Sequence, residues 1–232
     1  MERTGRQPPC VRYYHRAGPP FTTTLDAAMT DEEYLEAQRK ARAESVEFFR
    51  ASNKAERERW VVREFLTNLG LAFADTEIRS PDQDPPDVKF RDANFEIKEI
   101  LSKGRRRHQE YKEGLQRALE ATAPSDLVEM YTPRDVAVFD VCAGVYVEAK
   151  ELSELKYAAD TRKGLDLLFY VNITDVSGLQ ETPFPDLAPI DKLGFRSVSF
   201  LMGYRSCTLS AAADAPPFLH SALKRIVHRK VS

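Results

Sequence analysis

The runs Pro86-Asp87-Val88-Lys89-Phe90 and Phe95-Glu96-Ile97-Lys98 each alternate apolar and charged side chains, with Arg91-Asp92-Ala93-Asn94 between them. Period-two alternation marks a strand with one buried face, and a short polar break between two such runs marks a hairpin. Reading the break as a four-residue loop pairs Phe90 with Phe95, Lys89 with Glu96, Val88 with Ile97 and Asp87 with Lys98. Directly paired residues share a face. Val88, Phe90, Phe95 and Ile97 then make one apolar face, and Asp87, Lys89, Glu96 and Lys98 one charged face. This register assigns every residue from 87 to 98 outside the loop to one side or the other.

The charged face carries chemistry. Asp87 and Glu96 on neighbouring strands can share a hard cation, and the Lys98 ammonium lies beside them. Mg²⁺ prefers carboxylate oxygens and keeps several waters, so one or two acidic residues anchor it while a substrate phosphate completes its shell. Mn²⁺ suits the same oxygen donors. A lysine next to the bound water can orient it, and a fixed cation opposes the charge that develops on a phosphorane. The expected activity is metal-dependent phosphodiester hydrolysis. The plainer alternative uses the same register: a solvated face on which Asp87–Lys98 and Lys89–Glu96 are cross-strand ion pairs.

Pro86-Asp87 followed by Glu96-Ile97-Lys98 resembles the signature of the PD-(D/E)XK nuclease superfamily, and the surrounding helix and three strands resemble its common core over about Lys54 to Val171. From about Met29 onward the chain also resembles a bacterial family catalogued as endonucleases of unknown function. The resemblance implies a restriction-endonuclease-like sandwich, a nucleic-acid substrate with DNA ahead of RNA, Asp87 and Glu96 as metal ligands, and Lys98 as the water-orienting residue. It often includes a further Glu from the helix before the first strand. Glu64, between Val61 and Phe65, is the candidate, with Glu56 and Glu58 competing. The Gln-xxx-Tyr element of exonuclease-like members is absent, since Gln109 and Tyr111 have the wrong spacing, so strand-end processing has no support.

The formal net charge of -2 gives no global attraction to a polyanion, so a nucleic-acid surface requires local clustering of cations. Lys103, Arg105, Arg106 and Arg107 supply one just after the proposed catalytic strand; a solvated loop is the equal alternative. Lys224 to Lys230 forms a second basic cluster, read as ordinary cations at the end of a helix. Cys10, Cys142 and Cys207 are widely spaced, which fits reduced thiols in a cytoplasm. His15, His108, His220 and His228 lack zinc-ligand spacing, and no GxGxxG, P-loop or GxSxG occurs. Trp60 reads as core. An inactive nucleic-acid or protein interaction module of the same fold is the competing function, and an RNA-directed enzyme is a third.

Residues 1 to 28, with Pro8-Pro9 and Pro19-Pro20, lack periodicity and read as a mobile tail without a secretory signal. Residues 29 to 232 read as one domain, with Met29 a candidate start. The capping box of Thr30 and Glu33 opens a helix to about Arg50. A second helix spans Lys54 to Leu69 and ends at Gly70. Leu71 to Ile78 reads as a strand before the hairpin, and a helix runs beyond Gly104 to about Glu120. Val136 to Val141, Leu165 to Ile173 and Phe195 to Leu201 read as strands, and Pro216 to Lys230 as a final helix. No segment is apolar enough to span a membrane. The expected architecture is an α/β sandwich with a central mixed sheet flanked by helices.

Overall fold

The computed structural model describes residues 29–130 and 132–230; the proposed tail, with Cys10 and His15, lies outside them. By its internal contacts the chain divides into two compact units.

Within the described residues, the first unit comprises 29–53 and 104–134. Its helices are α1 (Asp31–Phe48) and α3 (Arg107–Glu120). The capping box forms as the sequence predicts: the Glu33 N–H donates to Thr30 Oγ1 and the Thr30 N–H to Glu33 Oε2. The two helices run antiparallel, because Arg39 donates to the carbonyls of Ala118 and Ala121 while Arg42 donates to that of Gly114. The two Arg39 bonds satisfy carbonyls that the end of a helix leaves without partners. Gly114 has a local reason: a Cβ there would sit 2.9 Å from the Arg42 guanidinium.

The second unit, 54–103 and 135–230, is built on a seven-stranded sheet. Its strands are β1 (Ile78–Arg79), β2 (Val88–Phe90), β3 (Ala93–Leu101), β5 (Asp166–Asn172), β7 (Ser197–Met202), β8 (Arg205–Ala211) and β9 (Val227–His228), side by side in that order. β3, β5 and β7 are parallel and the outer pairings antiparallel, so the sheet is mixed. β4 (Arg134–Ala137) and β6 (Val176–Gln180) form a separate pair. The helix α2 (Lys54–Asn68) covers one face, where Phe65 meets Phe95 and Trp60 meets Tyr170 edge to face. On the other face, α4 (Val138–Leu155) packs Val138, Val141, Cys142, Val145 and Ala149 against Leu167, Phe169, Val171, Val198 and Phe200. A helix on each side of a mixed sheet is the α/β architecture that the order of elements predicts. Short helices α5 (Ala159–Arg162), α6 (Ala188–Asp191) and α7 (Pro217–His220) complete it.

Three expected elements differ. Leu71 to Ile78 is not a strand: a 3₁₀ turn at Asp75–Glu77 occupies it, closed by the Ala74 N–H on the Glu77 carboxylate, and only Ile78–Arg79 pairs. Val136 to Val141 crosses from β4 into α4. A short apolar run fits a buried strand and a buried helix equally, and here the i, i+3, i+4, i+7 spacing from Val138 decides for the helix. The expected helix from Pro216 to Lys230 stops at His220, and Lys224 turns left-handed at φ 54. Backbone pairing with β8 replaces it: the Thr208 N–H donates to Ala222 and the Lys224 N–H to Thr208. The cations beyond it are therefore not in a final helical turn; Arg229 instead binds Glu64 and Asn68.

Among the described residues Cys142 and Cys207 are free and buried, and burial pushes their thiols up to about 11 and about 12. Among the described residues no helix is long and apolar enough to cross a membrane.

Candidate metal centre

The hairpin forms, with a register two residues from the expected one. Val88 pairs with Phe95, Lys89 with Asn94 and Phe90 with Ala93, so the loop is Arg91-Asp92 alone. The expected Phe90–Phe95, Lys89–Glu96, Val88–Ile97 and Asp87–Lys98 pairings do not occur. Contacts from distant residues set the shorter turn. Arg91 is held left-handed at φ 52 while its side chain reaches the Glu77 carboxylate and the Ala72 carbonyl. The Asn94 N–H donates to buried Asp166, and its side chain to the Gly164 carbonyl, which draws Asn94 into the strand.

A slip of two residues preserves the faces, because side chains repeat with period two. Val88, Phe90, Ala93 and Phe95 are fully buried. Glu96 and Lys98 point to the opposite side, the α4 side, since Glu96 pairs in parallel with Leu167 and Lys98 with Phe169. Continued one step, the observed register puts Asp87 opposite Glu96 rather than Lys98. The slip therefore brings the two acidic residues closer than the expected pairing does.

Asp87 precedes β2 and is fixed at both oxygens: Oδ2 accepts the Ile97 N–H at 2.9 Å and Oδ1 accepts Lys54 Nζ at 3.0 Å. Burial opposes its ionisation, but the Ile97 N–H, Lys54 and the nearby Lys98 charge outweigh it and hold the carboxyl below its ordinary range. Lys54, first residue of α2, also contacts Glu58 at 3.1 Å. Burial and then the Asp87 charge raise the Glu58 carboxyl.

Glu96 is 1% exposed. Its Oε1 receives two ammoniums, Lys98 at 2.8 Å and Lys156 at 3.2 Å, while among the described residues its buried Oε2 has no hydrogen-bond partner. Tyr157 lies in the field of this carboxylate without a well-formed bond to it; burial first, then Glu96, pushes its hydroxyl above the ordinary phenol range. Asp84, exposed in the Pro/Asp-rich turn, joins the group: one oxygen each from Asp84, Asp87 and Glu96 lie within 4.8 Å of one another.

Three hard oxygen donors at that spacing, one belonging to a buried carboxylate with an unanswered lone pair, fit Mg²⁺ or Mn²⁺. Of the residues singled out in the sequence, the structure brings together Asp87, Glu96 and Lys98. Glu64 stands apart, paired with Arg229 at 2.6 Å, and the α2 carboxylate beside Asp87 is Glu58. Asp84, Lys54, Lys156 and Tyr157 are additions. Lys54 has a local signal, its i,i+4 spacing to Glu58, whereas Lys156 is 60 residues from Glu96 and has none. In the basic run, Lys103 and Arg106 are exposed. Arg105 pairs with Glu110 at 2.6 Å, and Arg107 lies 4.2 Å over the Phe49 ring.

Residues 30–232 match the family described as "Putative endonuclease, protein of unknown function (DUF1780)". The chain belongs to that family. The DUF1780 match spans every residue of the acidic cluster and the lysines around it. Among solved structures, the protein of unknown function PA4535 from Pseudomonas aeruginosa strain PAO1, described as of the monooxygenase superfamily, is similar with a TM-score of 0.60 and 24% identity. The similarity covers 88% of this chain and 98% of that one. At that identity it speaks for the fold of this DUF1780 member and not for its chemistry. No curated protein matches in sequence.

Proposed function

We propose that the chain is a Mg²⁺-dependent endonuclease that hydrolyses nucleic-acid phosphodiester bonds, with a restriction-endonuclease-like sandwich of the PD-(D/E)XK type. The observation that carries the reading is the convergence of one oxygen each from Asp84, Asp87 and Glu96, the last a buried carboxylate whose Oε2 has no hydrogen-bond partner among the described residues. The endonuclease description of the family supports it.

In this reading Asp87 and Glu96, with Asp84 at the exposed rim, hold the cation. When bound, the cation supplies charge neutralisation at the phosphate and a more acidic water. The Ile97 N–H and Lys54 fix the Asp87 carboxylate, so its geometry does not have to be found during the reaction. Glu58 rather than Glu64 is the α2 carboxylate that meets the site, through the Lys54 ammonium it shares with Asp87. Lys98 is partly exposed, and its ammonium can turn from Glu96 to a phosphate oxygen or a water. Lys103 and Arg106, the exposed cations of the basic run, are the candidate backbone contacts. DNA is placed ahead of RNA as substrate.

The test is nicking of supercoiled plasmid and cleavage of linear, single-stranded and RNA substrates with Mg²⁺ or Mn²⁺, alongside calorimetric Mn²⁺ titration. Wild type is expected to bind Mn²⁺ and cleave, and Asp87→Ala to lose both. Cleavage retained in Asp87→Ala defeats the assignment. Absence of Mn²⁺ binding in wild type leaves an ion-paired cluster on a non-catalytic interaction module.

A further inference from the structure

Glu96 carries a second ammonium, that of Lys156, which the hydrolytic reading does not use. Two ammoniums share Oε1 while the buried Oε2 has none among the described residues. One lysine would satisfy Oε1, and the second is not there by chance of a floppy side chain. Lys156 is the C-cap of α4, its N–H bonded to Leu152, and its Nζ lies 4.7 Å over the Tyr157 ring. That ring packs edge to face on Phe195. The cap, the cation–π contact and the aromatic pair hold the ammonium on the α4 side of Glu96.

A buried carboxylate stripped of its counter-charge is strongly unfavourable. If Lys98 were the sole partner of Oε1, leaving Glu96 for a phosphate or a water would strip that buried oxygen of its only donor. We infer that Lys156 is a positioning residue that keeps Oε1 of Glu96 paired, so that Lys98 is free to engage the substrate while the Glu96 carboxylate keeps its place. The inference rests on the nuclease reading of this site.

The experiment uses the full chain with Lys156→Met, Lys156→Gln and Lys156→Arg, reading Mn²⁺ affinity by calorimetry and the single-turnover rate of plasmid nicking. Loss of a guiding contact to a catalytic group is expected to slow cleavage by roughly tenfold to a hundredfold in Lys156→Met. Removing a positive charge from beside a cation site leaves Mn²⁺ affinity equal or tighter. Lys156→Arg restores the rate to within about threefold, since the guanidinium keeps charge and donor. A merely structural lysine would instead weaken binding and cleavage together and would overturn the inference. So would an unchanged rate in Lys156→Met, or no rescue by Lys156→Arg. Should Lys156→Met not fold, Lys156→Gln against Lys156→Arg gives the same comparison. A wild type that neither binds Mn²⁺ nor cleaves removes the nuclease reading and this role with it, whereas a wild type that does both isolates Lys156.

Discussion

Two buried carboxylates lie on adjacent strands of the same sheet and are treated in opposite ways. Asp166 on β5 is level with Phe95 on β3, one step from Glu96, and the two acids point to opposite faces. Asp166 is answered on both oxygens by the Asn94 N–H, the Arg196 guanidinium and the Ser197 hydroxyl. Glu96 has two lysines on one oxygen and, among the described residues, no hydrogen-bond partner on the other. A carboxylate that holds strands together has its lone pairs filled by the fold. Under the proposed reading, Glu96 keeps a lone pair for the cation, at a cost of about 1–3 kcal/mol for the missing partner.

The largest effect expected from this contrast is on activity. Glu96→Gln and Asp87→Ala should slow Mg²⁺-dependent nicking by roughly 10³-fold or more, as expected when a group that stabilises transition-state charge is lost. Both should leave the thermal midpoint within a few degrees. The partners of Glu96 can rehydrate when it is neutralised, since the Lys98 and Lys156 side chains are 30% and 44% exposed. A collapse of stability in Glu96→Gln would place Glu96 with Asp166 as a structural acid.

Asp166→Asn should show the reverse. Its Arg196 partner is only 12% exposed and would be left as a buried charge, so denaturant titration should reveal a loss of about 3–5 kcal/mol. Any variant that still folds should keep its Mn²⁺ affinity. A stable Asp166→Asn with weakened Mn²⁺ binding would erase the distinction between the two acids.

Cation binding sharpens the same comparison at smaller amplitude. At a hundredfold excess over Kd, a ligand that binds only the folded state adds about 2.7 kcal/mol. Mg²⁺ or Mn²⁺ should therefore raise the melting temperature of wild type and of Asp166→Asn, but not of Glu96→Gln. A rise of equal size in Glu96→Gln would show that the ion binds elsewhere.

The contrast also explains what could be read from the chain. The two faces of the hairpin were legible because alternation has period two and survives any even slip. The register was not, because Arg91 is fixed by Glu77 and Ala72 and Asn94 by Asp166 and Gly164, partners between 14 and 72 residues away. A slip of one residue would have sent Glu96 and Lys98 to the α2 side and dissolved the site. Asp84 was visible as part of a turn, but nothing local marks its carboxylate as the one that meets Asp87. Lys156 and Tyr157 reach Glu96 only through the packing of α4 on the sheet. The choice among Glu56, Glu58 and Glu64 depended on the rotation of α2 about its axis, which its apolar spacing constrains only to within a turn.

That rotation gives the smallest and most discriminating prediction. Glu64 binds Arg229, which Asn68 also holds, and both side chains are partly exposed. Glu64→Gln should therefore cost at most about 1 kcal/mol and leave nicking within about twofold of wild type. Glu58 shares Lys54 with Asp87 and stands beside that carboxylate. Glu58→Gln removes one anchor of the lysine that fixes Asp87, so nicking should slow several-fold with little change in stability. If Glu64→Gln abolishes nicking while Glu58→Gln is harmless, the acidic contribution of α2 comes from the turn that the sequence favoured, and the arrangement around Asp87 must differ when substrate is bound.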